Sequence, residues 1–399
     1  MFSFKNKLDY NLNIALKNNS YKKYRVLVKC KNLFSSIVKK ISHFKGALIY
    51  SLDYCNIVVA NLNKYEIKKL IEYPEVESIF LDDYLFLCGI SVTSANNCNL
   101  YDTNKSKYSG KNINIGLVDS GVFPHPDLLS PNNKIEYFFD LINEFKYPYD
   151  DNGHGTAIAG LMCSSGLNSN NLYKGISPSS NIICYKAFDK LGKGYASDVL
   201  YSIECLIKLS EEKNIRILCL PFELLNLNYY IIDAFKCVFD VAIKHNLIPI
   251  VPSGSVNYEK DMIKGIATLN NCITVGGVNS SKPVTPYLYS SKGPYNKIIK
   301  PNCVASCTNI ASLNSNTSYV SERNGIKIYP SKLNSNYKTF SGTSLAVAFV
   351  CSVCALILES NPSYTFNDVL SIIKLACDKK DLPKDIVGNG ILSFNNILK

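Results

Sequence analysis

Between Val347 and Leu358 the only polar side chain is Ser352. A run of that length without Gly or Pro is too long for one strand and reads as a helix buried on every side. Such a helix needs a layered core around it, and 399 residues at 47% hydrophobic content can supply one. Directly ahead of it stands Phe340-Ser341-Gly342-Thr343-Ser344, so Ser344 falls at or near the helix N-terminus. Free N–H groups and the positive end of the helix dipole favour developing negative charge there. That suits an acyl-transfer nucleophile, and the small neighbours Gly342, Thr343 and Ala346 leave room for a substrate backbone. The same pattern also fits an ordinary N-cap, so its partners must decide.

Two upstream stretches supply partners. Ile113 to Val118 is an apolar-rich strand, and Asp119-Ser120-Gly121 follows it, which places a carboxylate at a strand's C-terminal end. Asp151-Asn152-Gly153-His154-Gly155-Thr156 then sets one of only four histidines between two glycines at the start of a small-residue helix. A serine nucleophile needs a base, and the base needs a carboxylate to hold its tautomer and orientation. Asp119, His154 and Ser344 are the residue types required.

The stretches Gly116-Leu117-Val118-Asp119-Ser120-Gly121-Val122, Asn152-Gly153-His154-Gly155-Thr156 and Phe340-Ser341-Gly342-Thr343-Ser344 resemble the three active-site motifs of subtilisin-like serine proteases, in that family's order. Fainter echoes are His125-Pro126-Asp127-Leu128, Gly175-Ile176-Ser177-Pro178 and Lys300-Pro301. The resemblance covers roughly residues 110–399. It implies peptide-bond hydrolysis with Ser344 as nucleophile, His154 as general base then acid, and Asp119 as the carboxylate that orients it. It also implies substrate contacts at Gly192, Gly194 and Tyr195 on one wall, and at Leu220, Phe222, Ser253 and Gly254 on the other.

Departures from the pattern cluster on that second wall. Where the family carries an oxyanion-donating Asn, this chain has Ser255, with Asn257 as the nearest amide. Loss of that donor costs about 10²–10³ in turnover in subtilisin itself. Leu220-Pro221-Phe222 replaces the family's Ser-Leu-Gly, which removes an N–H and adds a ring. Ala157 stands where a second His is usual, Ala348 where a proline is common, and Ser306-Cys307 where Pro-Gly is expected.

Strands and helices alternate from residue 110 onward. Asn181 to Ala187, Ile215 to Leu220, Leu247 to Pro252 and Cys272 to Val278 read as strands; Ala196 to Leu209, Tyr230 to His245 and Asn361 to Cys377 read as helices. The implied class is α/β: a mostly parallel, subtilisin-like sheet with helices on both faces. Residues 1–95 differ. After a loosely helical lead over 1–20, strands at Tyr24 to Cys30, Gly46 to Leu52, Cys55 to Leu62 and Val76 to Leu81 interleave with helices at Leu33 to Ile41 and Lys64 to Glu72. This β-α-β-β-α-β order is the ferredoxin-like split motif. The expected division is therefore a small α+β domain at 1–95 and a catalytic domain at 96–399. In a subtilisin-like chain the first implies an inhibitory, chaperone-like prosegment. Tyr84 to Ser94 would then cross the cleft, and Asn96 to Gly110 would be the exposed link.

Residues 1–95 hold 14 basic and 8 acidic side chains, hence +6 of the net +11. The basic residues are scattered among apolar ones rather than gathered into a stripe with stacking aromatics, which argues against a nucleic-acid partner. No apolar run is expected to reach membrane-spanning length. Fifteen cysteines and an N-terminus without an apolar signal segment point to a reducing, cytoplasmic setting. Cys351 and Cys354 fit a helix core, and Cys303 and Cys307 lack companions for zinc. No cofactor is expected. The family's structural calcium would involve Asp127 and the loop Leu167-Asn168-Ser169-Asn170-Asn171, which offers no carboxylate and equally suits an Asx-rich turn. The partners implied are a peptide or protein substrate and the chain's own prosegment. The favoured activity is a serine endopeptidase of narrow specificity or one that processes itself. A pseudoprotease that binds a peptide or protein partner without turnover is the alternative.

Overall fold

The computed structural model describes residues 7–44, 47–52, 56–81, 108–224, 229–255, 262–281, 283–293, 298–378 and 382–397. The chain divides into two compact units, Met1–Phe86 and Leu87–Lys399, so the division falls ahead of the expected residue 95. The expected cleft-crossing segment Tyr84 to Ser94, and most of the link after it, lie outside the described residues.

The first unit contains α1 (Tyr10–Lys17), β1 (Tyr24–Cys30), α2 (Phe34–Ser42), β2 (Leu48–Leu52), β3 (Ile57–Leu62), α3 (Lys64–Ile71) and β4 (Val76–Leu81). Its strands lie in the order β2-β3-β1-β4, every pair antiparallel, which is the split motif the sequence predicts. Strand β1 buries Tyr24, Val26, Val28 and Cys30 and turns the alternate residues outward. Those four join Ile37 and Ile41 of α2 and Ile67 and Leu70 of α3 in one core. Asn63 starts α3 with a capping box closed by Glu66. The loosely helical lead is a defined helix begun by the Asp9 side chain, with Leu12 fully buried beneath it.

In the second unit the chain runs through β5 (Asn114–Asp119), α4 (Pro126–Leu129), β6 (Ile135–Asp140), α5 (His154–Cys163), β7 (Asn181–Lys186), α6 (Ala196–Leu209), β8 (Ile215–Cys219), α7 (Tyr229–Lys244), β9 (Ile248–Pro252) and β10 (Ile273–Asn279). It continues through β11 (Thr285–Pro286), β12 (Cys303–Ser306), β13 (Ile310–Leu313), β14 (Glu322–Arg323), β15 (Ile326–Lys327), β16 (Tyr337–Phe340), α8 (Thr343–Ser360), α9 (Phe366–Leu375), β17 (Cys377–Asp378), α10 (Lys384–Val387) and β18 (Ile391–Leu392). The main sheet has the order β17-β18-β12-β10-β9-β8-β5-β7-β6 and is parallel except for β17 and the short β11 beside β10.

Period-two alternation divides the apolar strand residues between two cores. Ile115, Leu117, Ile182, Cys184, Ile217 and Ile250 face the layer of α5, α8 and α9. Val118, Ile183, Leu218, Leu220 and Val251 face α6 and α7. Helix α8 is the axis of the first layer, buried from Leu345 through Leu358, including Ser352, whose hydroxyl donates to the Ala348 carbonyl at 2.9 Å. By length and composition α8 is apolar enough to cross a bilayer, contrary to the sequence expectation. Here the sheet and its neighbouring helices cover that surface, and each large side chain buried contributes roughly 1.5–3 kcal/mol.

Candidate active site

Strand β5 ends in Asp119, whose side chain is 4% exposed and whose Oδ1 accepts from the Ser120 N–H at 2.6 Å. His154 opens α5 opposite it. Its Nδ1 lies 2.8 Å from Asp119 Oδ1 and 2.9 Å from Oδ2. An ionised carboxylate only accepts, so Nδ1 carries the proton and Nε2 keeps its lone pair. Burial by itself would lower the imidazole pKa; the charge and hydrogen bond of Asp119, with the charge of Asp150, outweigh it and hold the group above its ordinary 6.5. Glycine is required next to it. A Cβ on Gly155 would come within 2.1 Å of the Gly121 carbonyl oxygen.

Sequence reasoning passed over two residues that fix this corner. Asp150 is fully buried, and its Oδ1 accepts from Ser120 Oγ (2.9 Å), Asn152 N (3.1 Å) and Gly153 N (2.8 Å). Its Oδ2 accepts from Thr156 N (2.8 Å) and Thr156 Oγ1 (2.6 Å), so one side chain ties the turn before His154 to the first turn of α5. Burial pushes the Asp150 carboxyl above its ordinary value, against hydrogen bonds from Thr156 and Gly153 that favour the charge. Lys186, at the end of β7, is also buried; its Nζ donates to the Ser120 carbonyl (2.6 Å), Asp151 Oδ1 (2.6 Å) and the Phe188 carbonyl (3.0 Å). A lysine closing a buried strand was the available signal.

Ser344 sits in the first turn of α8, after Gly342 at φ +151°. Its Oγ donates to the Pro221 carbonyl at 3.0 Å rather than to His154. Pro221, Phe222 and Glu223 form a wall shared by two cavities. The larger, about 820 Å³, contains Ser344, Gly254 and Ser255; the smaller, about 310 Å³, contains His154, Asp119 and Gly192. Catalytic hydrogen bonds often tighten only with substrate present, so this geometry leaves the pairing of Ser344 with His154 available.

The remaining expected site residues fall into two groups. Gly192, at φ +72°, lines the smaller cavity; Gly194 has no room for a Cβ beside the Ala187 carbonyl; Tyr195 is exposed at the start of α6. Gly254 and Phe222 also line the cleft. The Phe222 ring packs on Phe188 (5.3 Å between centroids) and Phe235 (6.4 Å), continuing into the core of α7. Leu220 and Ser253 do not line it. Leu220 is buried toward α6 and α7 with its N–H on the Ile250 carbonyl, and Ser253 is buried with its Oγ on Ser290 Oγ and its N–H on the Val275 carbonyl. Strand periodicity turns both inward. Ser255 is at the cleft, but its hydroxyl donates to Glu223 Oε1 and its N–H to Oε2 (2.8 Å). The alternative amide, Asn257, lies outside the described residues.

Asp127 does not fit a calcium site. It is fully buried; Oδ1 accepts from Asn168 N (3.0 Å) and Nδ2 (2.7 Å), and Oδ2 accepts from Tyr337 OH (2.5 Å). Protein donors therefore take both acceptor sites of Oδ1 and one of the two on Oδ2. Among the described residues there is no group of three His, Cys, Asp or Glu side chains placed to hold a metal ion, and the described cysteines are all free thiols.

Residues 110–390 match the subtilase family. Over 340 residues the chain is 31% identical to serine protease AprX of Bacillus subtilis, spanning 82% of this chain and 75% of that protein. It is 23% identical to a thermostable alkaline protease of Halalkalibacterium halodurans, covering 95% of this chain and 93% of the relative. Among solved structures, sphericase superposes with a TM-score of 0.62 at 21% identity, over 78% of this chain and 99% of its own, a likeness of fold. With these matches beside the Asp119–His154 pair and the serine at the head of α8, the chain belongs to the subtilase family, the subtilisin-like serine endopeptidases.

Proposed function

We propose that this subtilase hydrolyses peptide bonds with Ser344 as nucleophile, His154 as general base and then acid, and Asp119 as the carboxylate that orients the imidazole. The observation that carries the reading is the double approach of Asp119 to His154 Nδ1, at 2.8 and 2.9 Å, which leaves Nε2 as a base. In the reacting complex Ser344 Oγ leaves the Pro221 carbonyl and donates to His154 Nε2. Attack on the scissile carbonyl moves the hydroxyl proton to His154 and forms a tetrahedral intermediate; His154 then protonates the amine nitrogen, the C–N bond breaks, and the amine leaves an acyl-enzyme. Water reverses the sequence and frees the acid product. The backbone N–H of Ser344, in the first turn of α8, supplies one oxyanion donor.

The rebuilt wall at Leu220–Phe222 supports a narrow substrate range, and the split-motif fold of the first unit supports a prosegment that acts as an intramolecular inhibitor, removed by the enzyme itself. Free, largely buried thiols support a reducing, cytoplasmic setting. The test is labelling with a fluorophosphonate probe. The wild-type chain should be labelled at Ser344 and Ser344→Ala should not. An unlabelled wild-type protein, folded and freed of residues 1–95, would overturn the catalytic reading and leave a peptide-binding protein.

A further inference from the structure

Glu223 is an exposed carboxylate set into the wall of the cavity that holds Ser344. Among the described residues it forms no ion pair. It is nevertheless held in place. Ser255 donates its N–H to Oε2 at 2.8 Å and its hydroxyl to Oε1. Gly254, at φ +95°, makes the room: a Cβ there would lie 2.7 Å from Oε2. Each carboxylate oxygen has two acceptor sites and Ser255 takes one from each, so the others remain open. A carboxylate fixed by two donors, with free acceptor sites and no cation paired with it among the described residues, is prepared for a cation from outside.

Position within the cleft says which cation. The larger cavity contains Ser344 but not His154, the group that meets the leaving amine. The side chain that enters it therefore belongs to the residue whose carbonyl Ser344 attacks. Tyr287, Leu288 and Tyr289 form its other wall, with the two tyrosine rings edge to face at 5.5 Å. That wall suits the methylene stem of a long side chain, and its rings attract a cationic head. A guanidinium presents a planar fork that matches two carboxylate oxygens.

We propose that Glu223 is a specificity-determining residue that selects arginine or lysine immediately before the scissile bond, with Ser255 as the residue that positions it. The proposal deepens the peptidase reading and rests on its placement of the substrate, so its test has one arm that needs turnover and one that does not. In the first, kcat/KM is measured on the full chain with Ala-based fluorogenic peptides that differ only in the residue before the bond. Arginine should exceed its neutral isostere citrulline by about tenfold or more, and Glu223→Gln should bring the two within about threefold. In the second, Ser344→Ala, made as the full chain and then freed of residues 1–95 by an added protease, is titrated with labelled Arg and citrulline peptides by fluorescence anisotropy. The Arg peptide should bind more tightly, and Ser344→Ala with Glu223→Gln should lose the difference. A wild-type preference below twofold, a preference that survives Glu223→Gln, or no Arg-dependent binding to Ser344→Ala would each overturn the proposal. Arg-selective binding by a protein whose Ser344 takes no fluorophosphonate would sink the peptidase reading and leave this one standing.

Discussion

On the His154 side of the cleft two buried carboxylates, Asp119 and Asp150, accept from backbone N–H groups, two hydroxyls and an imidazole. On the Ser255 side one exposed carboxylate, Glu223, accepts only from Ser255 among the described residues. The first arrangement is cooperative and sits at low dielectric, where any donor left without its partner is costly. The second is open to water, where a polar contact contributes little to stability. Residues on the exposed wall can therefore change what the cleft accepts without disturbing the proton path. Phe222 and Ser255 are the departures from the family pattern found there, and the Asp119–His154 pair is intact beside them.

The largest expected effect comes from breaking the stronger side. Asp119→Asn presents His154 with an amide, which favours the wrong tautomer, and kcat should fall by about 10⁴. The pH dependence carries a second readout. The neutral imidazole is the base, so kcat/KM should rise with pH through the free-enzyme pKa of His154, which lies above 6.5 in the wild type because Asp119 holds it up. In Asp119→Asn that limb should move to lower pH, since burial then acts with less opposition. For stability the sign follows from the same shift. The folded-state pKa exceeds the unfolded one, so the pair's contribution is full below about 6.5 and fades as pH rises through the folded value. A limb that stays put in the variant would mean Asp119 does not govern His154.

How legible these two sides were depended on backbone constraint. Asp119, His154 and Ser344 announce themselves because each sits among small residues that the local backbone requires, as the 2.1 Å clearance at Gly155 illustrates. The parallel sheet was readable from apolar runs, since a strand buried on both faces leaves few polar interruptions. Asp150 was not readable. It precedes His154 by four residues and looks like an ordinary turn acid until its buried donors are seen. Glu223 was hidden behind Phe222, which drew attention by its size and then proved to pack on Phe188 and Phe235. Leu220 and Ser253 were expected at the cleft by adjacency, and strand alternation turned them inward. Side-chain direction was the missing quantity.

An intermediate effect should come from rebuilding the weaker side. Ser255→Asn places a side-chain amide where the family carries its oxyanion donor, whereas the serine hydroxyl is engaged by Glu223. That donor bonds chiefly in the transition state, so on a peptide with a neutral residue before the bond, which does not use Glu223, kcat should rise by about one to three orders of magnitude with little change in KM. If the Phe222 ring obstructs the substrate strand, the gain should appear only in combination with Phe222→Gly, and a double-mutant cycle would show it as non-additivity. A folded Ser255→Asn protein that reacts no faster, alone or with Phe222→Gly, would mean that the second oxyanion donor comes from elsewhere.

The smallest expected effect tests whether the comparison extends beyond the cleft. Asp127 resembles the His154 side: it is fully buried, and each of its oxygens is occupied by a protein donor. A calcium ion entering there would have to displace Tyr337 OH and the Asn168 amide. It would find one carboxylate where calcium takes six to eight oxygens. The donors that fix Asp127 stabilise the loop at 167–171 without a metal. A ligand that binds the native state raises stability only as its concentration exceeds its dissociation constant, so a site of this composition should respond weakly. Millimolar calcium, compared with a chelator in a thermal scan, should leave the melting temperature within about 2 °C, a shift that corresponds to less than about 2 kcal/mol in a chain of this size. A rise of about 10 °C would show that the site opens for the ion, and that buried hydrogen bonds here do not mark a closed corner of the fold.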